Sequence, residues 1–122
     1  MSKKDLNKTV TTLLEKAREC LDSNKYFLFS ITMEQYETQI NLMRDMKKQW
    51  EEEGLTVNKR YGKGIAAGTH PLIQEYNKTA RAAASSATML LKIIDKSKLG
   101  EDEESGLKSL IDDMNKSIGN EN

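Results

Sequence analysis

Apolar residues fall at helical spacing in several stretches of the chain, separated by polar or glycine-rich segments. Leu6, Val10, Leu13, Leu14, Ala17 and Leu21 recur at intervals that place them on one stripe of an amphipathic helix. The stripe predicts a first helix over roughly residues 4–22, ended or bent by Asp22-Ser23-Asn24. Tyr26-Phe27-Leu28-Phe29 follows as a dense apolar patch, which periodicity leaves open between a buried turn and the start of the next helix. Thr32 with Gln35 has the form of a capping box, in which hydroxyl and amide each satisfy an unpaired backbone N–H, and Ile31 stands where it could staple onto Tyr36. From there Met33, Tyr36, Ile40, Met43, Lys47 and Trp50 alternate steps of three and four, with Gly54 as the natural stop in the left-handed conformation. Glu51, Glu52 and Glu53 conflict with a stop at that point. Carboxylates at the negative end of a helix dipole cost about a few tenths of a kcal/mol each.

Gly54, Gly62, Gly64 and Gly68 make residues 54–70 a connector, with Leu55 and Val57 permitting a brief strand before a turn at Gly62-Lys63-Gly64. Thr69 or His70 would cap the next helix, whose first turn suits Pro71 because the missing N–H is unneeded there. Ile73, Tyr76, Ala80, Ala83, Ala87, Leu90 and Ile94 then form a coiled-coil-like seam. Its small centre, Ala80 to Ala87, lets a partner helix approach and receive Tyr36, Met43 or Trp50. An antiparallel hairpin and a seam shared between subunits both satisfy these residues. After Gly100 an acidic run opens a last helix with Leu107, Leu110, Ile111, Met114 and Ile118 on one stripe, ended by Gly119-Asn120. The expected fold is therefore all-α: a long-helix antiparallel hairpin flanked by an N-terminal and a short C-terminal helix, with a Gly-rich basic connector. Residues 1–100 read as a helical core and oligomerisation domain. Residues 101–122 read as an acidic helix or tail beyond a joint near residues 97–106.

Composition sharpens this picture. Charged residues make up 31% of the chain, above the usual ~25%, which favours long, solvent-washed helices whose burial is completed by partner subunits. The formal net charge of +0 hides an asymmetry. Residues 54–98 hold eight Lys/Arg against Glu75 and Asp95, whereas residues 99–122 hold Lys108 and Lys116 against seven acids. Opposite charge blocks suggest distinct surfaces for distinct partners, the basic one suited to phosphate. The single Cys20 has no disulfide partner or metal-ligating neighbours and reads as a small buried filler in a reduced, cytoplasmic setting. No apolar run reaches the ~18 residues of a membrane span, and no signal-peptide core opens the chain, so a soluble protein is expected.

Candidate chemistry is sparse. The lone His70 precedes a proline at a helix start, a place for capping or a loop hydrogen bond rather than catalysis. One Cys and one His do not complete a zinc site, and the contiguous acidic runs do not converge on a cation. Gly62-Lys63-Gly64 lacks the spacing and the following Ser/Thr of a Walker loop. No metal, no cofactor and no enzymatic activity are expected.

Trp50 through Leu55, then HPLIQEYNKTAR from His70 to Arg81, then Leu99-Gly100 together resemble the small subunit of tailed-phage terminases, over roughly residues 36–100. The resemblance implies a non-catalytic protein that assembles into a homo-oligomeric ring in the cytoplasm of the infected bacterium. It would recognise double-stranded viral DNA and regulate the large terminase subunit, which carries ATP hydrolysis and DNA cleavage, during genome packaging. Many such subunits carry an N-terminal helix-turn-helix, and no such signature is evident here. Candidate DNA contacts are Lys59, Arg60, Tyr61 and Lys63 on the connector with Lys78 and Arg81 one turn apart on the third helix; Lys3, Lys4 and Lys8 form a weaker patch. Neutralising about five phosphates would give log K a slope near −4.5 against log salt. Met43, Trp50, Ala80, Ala83, Ala87 and Leu90 are the candidate oligomerisation residues, and Leu107, Leu110, Ile111 and Met114 could dock the large subunit. The alternative reading is a structural helical adaptor that binds a protein partner through the seam.

Overall fold

A computed structural model describes the backbone at residues 2–61 and 71–119, and side chains over the same residues except 54–61, 71, 117 and 119. The fold is all-α, with four helices in the described residues: α1 Lys3–Cys20, α2 Ser23–Tyr61, α3 Pro71–Lys96 and α4 Glu101–Gly119. The chain divides into two compact units, residues 1–37 with 85–122, and residues 38–84.

α1 begins where the Ser2 hydroxyl accepts the Asp5 N–H at 3.1 Å, an N-cap with an acid in the first turn. It ends at Cys20 with the Leu21 N–H donating to the Ala17 carbonyl. The predicted stripe is its buried face: Leu6, Val10, Leu13, Ala17 and Leu21 are buried, and Leu14 is half-buried.

α2 differs from expectation at both ends. Asp22 starts it, because its carboxylate accepts the Lys25 N–H at 2.9 Å and its carbonyl accepts the Tyr26 N–H at 2.8 Å. The capping box expected at Thr32 does not form. Thr32 lies inside the helix, its hydroxyl donating to the Leu28 carbonyl at 2.8 Å, and Ile31 is exposed rather than stapled. The helix also runs through Gly54 to Tyr61, so Leu55 and Val57 lie in helix and not in a strand. One interior glycine costs only about 1 kcal/mol, which 39 residues of continuous helix can absorb. Continuation also resolves the conflict at Glu51–Glu53: they fall within the helix, and Lys59 and Arg60 occupy its last turn, where the dipole favours cations. The glycines at 62, 64 and 68, with Thr69 and His70, lie outside the described residues.

α3 opens with Pro71 at its first position, as expected. Past Lys96 the chain tightens: the Ser97 N–H donates to the Ile94 carbonyl at 3.1 Å and Lys98 adopts a left-handed φ of 52°. The Gly100 carbonyl accepts the Glu104 N–H, and four acids, Glu101 to Glu104, fill the first turn of α4, where the dipole welcomes them.

In the first unit α4 packs on α1, with Leu6, Leu13, Ala17, Leu107, Ile111 and Met114 fully buried. Phe29 and Met33 of α2 and Leu90 and Ile94 of α3 are equally buried and complete this core. Polar links tie the helices: Lys25 Nζ donates to the Lys96 carbonyl at 2.6 Å, Asn7 Nδ2 to Glu37 at 3.2 Å, and Lys108 lies 2.6 Å from Asp95 and 2.9 Å from Glu104. Of the two readings of residues 101–122, helix or tail, the structure has the helix, packed in the unit that also holds residues 1–37. Each large side chain it buries is worth about 1.5–3 kcal/mol.

Tyr36 is buried in the same unit and its hydroxyl donates to the Asn115 side-chain oxygen, joining α2 to α4. Burial pushes its phenol up to about 12, against about 10 in an unfolded chain. Below pH ~10 both states hold the proton; between ~10 and ~12 only the unfolded chain releases it, so this residue's contribution to stability is lost through that window. Tyr36→Phe is expected to cost about 1 kcal/mol at neutral pH and to flatten the alkaline fall. Urea midpoints against pH test this, and parallel curves for the two proteins would contradict it.

The second unit pairs the later part of α2 with the first part of α3. Trp50 meets Tyr76 edge to face, with ring centroids 4.9 Å apart and planes at 78°. Late α2 therefore lies beside early α3, while in the first unit early α2 lies beside late α3. This is the antiparallel hairpin. Ile40 and Ala83 are the buried apolar residues described in this unit, and Met43, Trp50, Ile73, Tyr76 and Ala80 are half-buried.

Candidate interaction surfaces

The HPLIQEYNKTAR segment is helical from Pro71, and the helix sorts its side chains by face. Ile73, Tyr76 and Ala80 are half-buried, whereas Lys78 and Arg81 are exposed. Lys78 and Arg81 are three residues apart on a helix and so share a side of α3. Lys78 Nζ lies 3.6 Å from Glu75, with both side chains largely in solvent, an ion pair worth little that a phosphate could displace. The remaining candidate DNA contacts are not brought to this pair by any described geometry. Lys59, Arg60 and Tyr61 end α2 with their side chains outside the described residues, and Lys63 lies outside them altogether.

The seam residues divide. Ala83 and Leu90 are buried within the single chain, so they do not offer a surface to another subunit. Met43, Trp50, Ala80 and Ala87 keep part of their surface. The C-terminal stripe is corrected in the same way. Leu107, Ile111 and Met114 are fully buried and Leu110 is half-buried, so the face expected to receive a partner is occupied by the chain's own core. The physical reason is that an amphipathic stripe does not specify which apolar surface covers it.

A feature not identified from sequence lies on the first unit. Leu28 (55% exposed), Ile31 (40%) and Met89 (47%) leave apolar surface in water, with Phe27 (62%) beside them on α2. Between early α2 and late α3 runs a cleft of about 340 Å³, lined by Leu28, Met89 and Ile93 with Thr32, Gln35, Ser85 and Ser86. The Tyr26–Phe29 patch was its signal. Residues three apart share a helix face and the two between them turn away, so Phe29 is buried and Tyr26 half-buried while Phe27 and Leu28 are left exposed. A second recess, between α1 and early α2, is lined by Arg18, Leu21, Tyr26 and Phe27 with Ser23 and Ser30.

Cys20 is half-buried, and burial, followed by the neighbouring Glu103 carboxylate, pushes its thiol up, away from the reactive thiolate. Among the described residues no group of three or more His, Cys, Asp or Glu could hold a metal ion, and no helix is long and apolar enough to cross a membrane. Comparison with protein-family models, with curated proteins and with solved structures finds no match for this chain.

Proposed function

We propose that the chain is the small subunit of a phage terminase: a non-catalytic protein that binds double-stranded viral DNA, assembles with copies of itself into a ring and regulates the large subunit in the infected host's cytoplasm. The observation that carries this reading is the behaviour of HPLIQEYNKTAR, the most distinctive part of the resemblance. The segment opens a helix at its proline, turns its apolar residues toward the hairpin and leaves Lys78 and Arg81 in solvent. A DNA-tracking surface needs that division, since phosphate contacts require exposed, mobile cations on a stable scaffold. Lys59 and Arg60, in the last turn of α2, would extend the cationic run. Assembly would use the surface left on Met43, Trp50, Ala80 and Ala87.

Replacing both Lys78 and Arg81 by Glu tests the DNA role. Each lost phosphate contact reduces the slope of log K against log salt by about 0.9, so the double variant should lower it by nearly 2 and weaken binding to any duplex sequence alike. Fluorescence anisotropy with a labelled duplex at several salt concentrations reads both quantities. An unchanged slope would remove these residues from the interface. Light scattering coupled to size exclusion tests assembly, a ring giving one sharp mass of many subunits and a clean monomer or dimer opposing it. The alternative, a structural adaptor that binds a protein partner through the coiled-coil-like seam, would use the surface left on Ile73, Tyr76, Ala80 and Ala87. Salt-insensitive partner binding with no DNA shift at low salt would select it.

A further inference from the structure

The cleft between early α2 and late α3 has an apolar floor and a charged end. Leu28, Met89 and Ile93 supply apolar surface, and among the described residues no Asp, Glu, Lys or Arg lines it. The Thr32 hydroxyl on its wall is engaged by the Leu28 carbonyl of its own helix. Lysines gather at one end. Lys25 stands one turn before Leu28, and its ammonium lies 2.6 Å from the Lys96 carbonyl, so early α2 and the end of α3 meet there. Lys92 and Lys96, both exposed, follow Met89 by three and seven residues, the spacings that keep them on its side of α3. Of the acids next to these lysines in the chain, Asp95 pairs with Lys108 and Asp22 caps α2 through the Lys25 backbone N–H.

We propose that this cleft docks an amphipathic helix of a partner protein. The helix lays apolar residues spaced i, i+3/i+4, i+7 along Leu28, Met89 and Ile93, and places an acidic first turn at the Lys25, Lys92 and Lys96 end. The apolar floor calls for the stripe, and the lysines call for the acids. Two other occupants satisfy only half of this. A nucleic acid backbone would neutralise the lysines but leave Leu28, Ile31 and Met89 in water. A second copy in a two-fold contact would offer the same face, which supplies lysines and no acidic turn to meet the first set. The inference goes beyond the DNA reading and does not depend on it.

The test uses the full chain and two designed helical peptides, each about four turns long with the same Leu stripe. One carries Glu in its first turn and the other Lys. The Glu peptide should bind at least about tenfold more tightly by fluorescence anisotropy. Met89→Glu should abolish that binding, and Lys92→Glu with Lys96→Glu should invert the preference. All these positions are exposed, so circular dichroism should be unchanged and binding losses will not reflect unfolding. Equal binding of both peptides, or of neither, overturns the proposal. So does a wild-type mass that halves with Met89→Glu, which would put a second copy in the cleft. Binding to anionic phosphatidylserine vesicles that competes away the Glu peptide would assign the surface to a membrane and overturn it too. The DNA salt slope of Met89→Glu stays at the wild-type value if the two surfaces are separate, so failure here is distinguishable from failure of the DNA reading.

Discussion

Ending the chain at Gly100 should abolish the cooperative unfolding transition of the first unit. The deletion removes Leu107, Ile111 and Met114, each fully buried, and uncovers the α1 face of Leu6, Leu13 and Ala17 that packs with them. Three side chains at about 1.5–3 kcal/mol each approach the whole stability of a typical domain, about 5–15 kcal/mol. The deletion also takes Asn115 from the Tyr36 hydroxyl and Lys108 from Asp95. A milder variant grades the effect: Ile111→Ala should cost about 2–5 kcal/mol, the range for a large aliphatic truncated in a packed core. Thermal and urea unfolding followed by circular dichroism measure both. A truncated chain that melts like the full chain would make α4 an appendage and return its stripe to the role of a docking face.

Ala83→Glu should destabilise the single chain by at least about 3 kcal/mol, because a carboxylate forced into an apolar site must be desolvated without a partner or protonated. Ala83 is 4% exposed, whereas Ala82, one residue earlier on the same helix, is exposed. Ala82→Glu is therefore the matched control, with the same chemistry and an expected change within about 0.5 kcal/mol. Urea midpoints at low protein concentration separate folding from assembly. If the two variants unfold alike and only the mass of Ala83→Glu falls, the residue faces a neighbouring subunit and not the core of its own chain.

Both experiments bear on one physical distinction, between residues that build the chain's own core and residues left for partners. Sequence periodicity identifies apolar stripes without saying what covers them. Leu107, Ile111 and Met114, expected to meet a partner, are covered by α1, whereas Leu28, in a patch left open between a buried turn and a helix start, and Met89, in the third helix, stand in water. Lys78 and Arg81 behaved as their spacing suggested: two cations on the polar side of an amphipathic helix have no reason to be buried. Lys59, Arg60 and Tyr61, expected on the connector, end α2 instead, and Lys63 lies outside the described residues.

Local patterns determined that the chain is helical, that α1 carries the stripe from Leu6 to Leu21, that Pro71 opens α3 and that the Glu101–Glu104 run opens α4. Each depends on interactions within a few residues: a period near 3.6, a cap, a missing N–H, a dipole. Tertiary structure decided where α2 begins and ends. Thr32 and Gln35 have the chemistry of a cap, but Phe29 needs a helical backbone before them to reach the core, so Asp22 becomes the cap instead. Gly54 has the chemistry of a stop, yet a helix already paired through Trp50 and Tyr76 can carry one glycine at small cost. It also decided that the acidic helix joins the core, because the contacts of α1 with α4 and of Tyr36 with Asn115 link residues far apart in the chain, and no local pattern encodes such a pairing.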